Sequence, residues 1–271
     1  MGEWDATTYE AKDNLLRVLR GEAEALFAMA SPPDSWERPT ACHLWQVRDI
    51  VGHLIDVTES YFTAFDASAS GAPLPAPLGL PVMAERLDEG AQAYRSLSQA
   101  DALERLEADF AKMTEIASAL DPEEWGGRIV THKYMGPLPA FFYPIAQLMD
   151  YGVHGWDIRQ GAGRAHSLAA DTADLLVPFM FILWQATTRV PPGSAPATVG
   201  IRVSGRNAGE YRFTVSAEGL SYEKGEVASL PAVLEFDPGS LVLTTFGRIN
   251  AGAFCGDRIA AEAFLNAFFR I

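Results

Sequence analysis

Five histidines, two cysteines and the carboxylates near them are the residues of this 271-residue chain best suited to chemistry. Asp150-Tyr-Gly-Val-His154 places a carboxylate and an imidazole four residues apart, and on a helix such residues share one face within a turn. They can then hold one metal ion from one helix, as the two histidines of an HExxH segment do. Gln147, Asp150, His154 and Asp157 form one polar stripe, opposite Ile145, Leu148, Met149, Gly152 and Trp156. A solvated helix carries the same pattern as an ordinary Asp–His pair, and periodicity does not say whether the stripe meets solvent or a cleft. His53 lies in another helical segment, on the flank of its apolar stripe beside Gln46, Ile50 and Val57. Alone it reads as a boundary histidine with one hydrogen bond. Joined, His53, Asp150 and His154 make a two-histidine, one-carboxylate set, which leaves coordination positions open on zinc or iron.

Other features are weaker. Cys42 and His43 are adjacent, and neighbours face different ways, so they make a poor nucleophile–base pair. Cys42 and Cys255 stand far apart in no CxxC pair. A disulfide scaffold and a cysteine zinc cluster are excluded, and a reduced compartment is expected. No GxSxG elbow, P-loop or dinucleotide glycine fingerprint occurs. Gly161-Ala-Gly163 reads as a helix C-cap. Trp36, Trp45, Trp125, Trp156 and Trp184 read as core and cleft walls.

The elements that must position these residues fall into two parts. Leu15, Leu16, Val18, Leu19, Ala23 and Leu26 pattern a helix over 5–30. Val47, Ile50, Val51, Leu54, Ile55, Thr58, Tyr61, Phe62 and Phe65 pattern another over 44–66. After a proline-rich loop at 71–82, one or two helices are predicted over 83–119, with a break near Ser96–Asp101. A turn-rich piece at 121–139 precedes helices over 140–160 and 168–189, the last with Pro178 as a kink. Four or five helices with a common apolar interior make a bundle. Pro191-Pro192-Gly193-Ser194-Ala195-Pro196 cannot continue a helix, so a domain boundary is expected there, dividing residues 1–190 from 191–271. Beyond it, 198–204, 210–216, 220–222 and 232–236 read as strands, and 241–246 and 259–269 as short helices. The expected fold is thus a two-domain α+β chain.

Charge narrows the partners. Lysine and arginine number 21 against 35 aspartates and glutamates, a net charge of -14. Residues 191–271 hold seven basic and eight acidic residues, so nearly all of the excess sits in the first part. Nucleic acid and anionic membrane surfaces are poor partners for such a chain. The longest apolar run, Leu175 to Trp184, has ten residues, and a membrane span needs about 20. With no basic-then-apolar leader pattern in the first thirty residues, a cytoplasmic location is expected.

Two segments carry a family resemblance. Trp36-Glu-Arg-Pro39-Thr40-Ala-Cys42-His-Leu-Trp45-Gln-Val47-Arg48-Asp49-Ile-Val-Gly52-His53-Leu54 resembles the first motif of the mycothiol-dependent maleylpyruvate isomerase family. Asp150-x-x-x-His154-Gly-Trp156-Asp157-Ile158 resembles its second metal motif. Phe246-Gly247-Arg248 and Gly256-Asp257-Arg258 are similar, more loosely, to its C-terminal module. The resemblance implies a DinB-like four-helix bundle followed by a small α+β, sterol-carrier-like module. It also implies a zinc ion held by His53, Asp150 and His154. The family has glutamate where this chain has Asp150. Aspartate is one methylene shorter and remains a competent zinc ligand. Arg248 corresponds to an arginine of the family's C-terminal module, suited to a bidentate contact with a carboxylate. A surface arginine at a helix end has the same sequence signature.

The expected function is a metal-dependent enzyme whose bound divalent cation, zinc by resemblance, takes a low-molecular-weight thiol such as mycothiol. The thiolate would attack a small electrophilic substrate, giving isomerisation or S-transfer. Two other readings stand beside it. One is a thiol-independent lyase, cyclase or Lewis-acid isomerase on the same fold. The other is a non-catalytic protein that binds a small molecule in an apolar pocket.

Overall fold

The computed structural model describes residues 2–42, 44–73, 75–164, 166–190, 193 and 195–269. The chain divides into two compact units. One holds Ala6–Leu168, and the other holds the chain from Ala169 onward together with Glu3–Asp5.

The first unit is helical. Its long helices are α1 (Lys12–Ala30), α2 (Val47–Ser70), α3 (Leu80–Ala93), α4 (Gln99–Ala119) and α6 (Phe142–Gly161), with a short α5 (Pro122–Gly127) between α4 and α6. A two-stranded hairpin, β1 (Ile129–His132) and β2 (Gly136–Pro139), lies within the segment expected to be turn-rich. The apolar stripe read from the sequence is the buried face of α2, from Val47 through Phe65. Helices α1, α2, α4 and α6 pack on one another as the bundle, and α3 lies along α2. Gly52 permits that last approach, because a Cβ there would stand 2.3 Å from the Ala91 carbonyl oxygen. The break between α3 and α4 falls at 94–98, where Ser98 caps α4 by accepting the Asp101 N–H.

α6 is buried from Phe142 to Ile158 apart from Met149 and Asp150, which are half-buried. A helix enclosed on all sides puts its polar stripe inside the bundle. That decides the question periodicity left open: Gln147, His154 and Asp157 are each less than 9% exposed.

The second unit begins with α7 (Ala170–Thr187) and contains a five-stranded sheet and two short helices. The strands are β3 (Ala197–Val203), β4 (Gly209–Ser216), β5 (Gly219–Lys224), β6 (Ala232–Phe236) and β7 (Ala253–Gly256), in spatial order β5-β4-β3-β6-β7. Among the described residues only β3 and β6 run parallel, and α8 (Pro238–Thr245) and α9 (Arg258–Leu265) follow β6 and β7. Phe181 and Trp184 of α7 meet Phe213 of β4 at ring separations of 5.0 and 5.5 Å, and Trp184 meets Phe264 of α9 at 5.6 Å.

The two-part α+β architecture is as expected, but α7 is placed differently. It was expected to close the bundle, with the division at Pro191. Pro191, Pro192 and Ser194 lie outside the described residues. The boundary between the units falls earlier, at Leu168 and Ala169. The reason is aromatic packing: the rings of α7 lie against Phe213 of the sheet, beside Phe264 of α9.

Candidate metal centre

α2 and α6 meet side by side and run in opposite directions. Along their seam His53 faces His154 with ring centres 5.1 Å apart, Gln147 donates from Nε2 to Thr58 Oγ1 at 3.0 Å, and Tyr61 meets Tyr143 at 4.9 Å. Asp150 lies on α6 between the first two of these layers. One nitrogen of each histidine and one Asp150 carboxylate oxygen all fall within 4.8 Å of one another. The structure therefore brings together the three residues expected to bind metal. Tetrahedral zinc, with bonds of about 2.0–2.1 Å to nitrogen and oxygen, needs ligand atoms ~3.3 Å apart.

The electrostatics fit a cation. Burial pushes the Asp150 carboxyl up to about 7, against the favourable charge of His154. Burial, then the nearby Asp150 charge, pushes the Tyr61 hydroxyl well above its ordinary value. A desolvated carboxylate beside two imidazoles is a set of donors that a divalent ion stabilises.

The surroundings orient the ligands. Asp157 Oδ2 lies 3.0 Å from His154 Nδ1 and is fully buried. That bond leaves His154 Nε2 for a metal and fixes its tautomer, the usual carboxylate–histidine arrangement of metal sites. Trp45 packs on both imidazoles, 5.0 Å from His53 and 5.7 Å from His154, and its Nε1 donates to Asp88 at 2.6 Å. The start of α2 is fixed by Asp49, which accepts from the Gln46 N–H at 2.9 Å and from Arg95 Nε and Nη2 at 2.7 and 2.9 Å. Burial alone would raise the Asp49 carboxyl, but Arg95 and Gln46 outweigh it and hold it below the usual range.

A second group shares His154. Cys42, His154 and Asp157 also place ligand atoms within 4.8 Å of one another. Sequence reasoning passed over three of these neighbours. Asp157 falls in the stripe without a role, Trp45 reads as a wall, and Cys42 is weighed against His43 and Cys255 but not against α6. His43 lies outside the described residues. The legible signal was Asp157, three residues after His154 on the same face.

The remaining candidates lie elsewhere. His132 accepts the Tyr134 and Met135 N–H groups at Nδ1, and burial lowers it to about 4. Arg159 donates from Nε to His166 Nδ1 at 3.3 Å. Arg248 follows α8 in the second unit and donates from Nη1 to the Phe246 carbonyl at 3.1 Å. It lines a cavity of about 520 Å³ with Trp184, Thr244, Asn250, Glu262 and Phe268.

The chain thus combines a helical bundle, whose inward group of two histidines and one carboxylate could hold a metal ion, with an α+β unit that follows it in sequence. Residues 16–159, more than half of the chain, match the family described as the mycothiol maleylpyruvate isomerase N-terminal domain. The chain belongs to that family, and a thiol-dependent isomerase is the activity the family stands for. Two solved structures of the mycothiol-dependent maleylpyruvate isomerase, one a histidine-to-alanine variant, align with a TM-score of 0.57. They are 12% and 11% identical in sequence, and each alignment covers 89% of this chain and 91% of the other. At that identity they show the fold. No curated protein matches the chain. No helix among the described residues is long and apolar enough to cross a membrane.

Proposed function

We propose that this chain is a metal-dependent isomerase that uses a low-molecular-weight thiol, mycothiol or one of its kind, on a small electrophilic substrate. The observation that carries the reading is the convergence of His53, Asp150 and His154 in a buried seam, within a chain of this family. Their donor set suits zinc. When bound, the ion supplies an open position that lowers the pKa of a thiol from its free value of about 8.5, so that thiolate is available at neutral pH.

The chain's own residues do the rest. Asp157 keeps the His154 proton on Nδ1 and the ring in one orientation. Trp45 covers one side of both imidazoles and keeps water from them. Arg248 offers a guanidinium for a substrate or thiol carboxylate, in a cavity that also carries Asn250 and Thr244. The related solved enzymes are named for maleylpyruvate. A small, unsaturated oxo acid is accordingly the substrate class we assign. S-transfer is the other outcome open to the same thiolate. The acidic net charge argues against nucleic acid and anionic membranes as partners, and a cytoplasmic location belongs to the same reading.

The test pairs metal analysis with an assay. The purified protein should hold about one equivalent of divalent metal, lost in His53→Ala and His154→Ala. It should isomerise maleylpyruvate only with mycothiol added, and Arg248→Ala should raise KM. Metal-dependent activity indifferent to thiol would replace this reading with Lewis-acid chemistry. Small-molecule binding with neither metal nor turnover would replace it with a binding protein.

A further inference from the structure

The loop before α2 lies directly on α6, and it carries Cys42 beside His154 and Asp157. The Ala41 N–H donates to the Asp157 carbonyl at 2.9 Å. Gly161 makes the close approach possible, since a Cβ there would stand 2.3 Å from the Pro39 carbonyl oxygen and 2.5 Å from Thr40 Cα. Thr40 stiffens the turn: its hydroxyl accepts the Cys42 N–H at 3.2 Å and donates to the Trp45 carbonyl at 2.9 Å. Cys42 is thus held by main-chain contacts to a helix more than a hundred residues away in sequence. It is half-buried and in no disulfide.

We propose that Cys42, Asp157 and His154 form a second metal site, selective for a soft divalent cation. The three ligand atoms lie within 4.8 Å of one another, and His154 and Asp157 are buried. A thiolate, an imidazole nitrogen and a carboxylate leave one position open on a tetrahedral ion. The thiolate favours zinc, cadmium or cobalt over magnesium or calcium. Asp157 meets His154 at Nδ1, so this site draws on Nδ1 and leaves Nε2 to the first. With both ions bound, His154 bridges them as an imidazolate, and the Cys42 thiol proton and the ring proton go to solvent; with the second site filled alone, only the thiol proton leaves and the ring keeps its proton on Nε2. Binding also costs His154 its hydrogen bond to Asp157. The site goes beyond the proposed isomerase activity and does not need a thiol substrate.

Cobalt reports it without an activity assay, because a cysteine ligand gives thiolate-to-cobalt charge-transfer absorption in the near ultraviolet. Metal-free wild-type protein titrated with cobalt should take two equivalents, one of them carrying that absorption. Cys42→Ser should take one equivalent with none of it. His53→Ala should keep it, and Cys255→Ser should leave everything unchanged. The site is overturned if wild-type protein gives no such absorption, if it survives Cys42→Ser, or if Cys255→Ser removes it. A single equivalent whose absorption is lost in both His53→Ala and Cys42→Ser also overturns it, by making Cys42 a ligand of the first ion. Loss of only the equivalent that lacks the absorption in His53→Ala supports both sites. Failure of the first site leaves the Cys42 signal intact, so the two readings fail separately.

Discussion

His154 and Asp157 stand three residues apart on α6, and their Nδ1 and Oδ2 atoms lie 3.0 Å apart inside the bundle. Neither faces solvent. A buried carboxylate bonded to an imidazole fixes which ring nitrogen remains for a metal, and it raises the basicity of that nitrogen. Asp157→Asn keeps the shape and removes the charge. Metal affinity should fall about 10–100-fold, the usual effect of losing such a partner. Competition with a chromophoric chelator measures it, and unchanged affinity would refute the assigned role.

Asp150 couples metal binding to protons. Its carboxyl is held at about 7 by burial, so near pH 6 the metal-free protein carries it largely protonated. A bound cation requires the carboxylate. Metal uptake at pH 6 should therefore release a proton, and release should shrink by pH 8. Calorimetry in buffers of different ionisation enthalpy reads the number directly. Asp150→Asn should abolish that component and weaken binding.

His132 governs acid stability in the metal-free protein. Burial lowers it from 6.5 to about 4, so the unfolded chain binds its proton more readily than the folded one. Its contribution is fully present above pH 6.5 and is lost as pH falls toward 4. The shift corresponds to about 3 kcal/mol at most. Chemical denaturation in chelator between pH 7 and pH 4.5 should show this loss. His132→Asn should flatten that part of the profile, at the cost of a lower plateau, because the Nδ1 bonds to Tyr134 and Met135 are disturbed.

Gly161 ties the first motif to the second. An added methyl would overlap Pro39 and Thr40 backbone, which cannot rotate away. Gly161→Ala should cost about 1–3 kcal/mol, as overpacking commonly does. It should also displace Cys42 and Trp45, loosening the metal histidines. Thermal unfolding and metal affinity measured together check this. A stable variant with normal affinity would show that the loop can lift without consequence.

By itself the sequence determined the helices, their apolar faces and the change of period after the bundle. The stripe from Val47 to Phe65 and the alternation at 198–204 are local patterns, set by the 3.6- and 2-residue periods of the backbone. The Asp150–His154 spacing was legible for the same reason. Resemblance to a family linked it to His53, which no spacing could do. Tertiary structure alone decided the rest. Burial of α6 on every side turned its polar stripe inward, and α7 joined the sheet because its aromatic rings lie against Phe213. Cys42 reached His154 and Asp157 through a main-chain bond and a glycine contact between segments far apart in the chain. Contacts of that kind depend on how faces are paired in space, and a periodic pattern carries the face but not its partner.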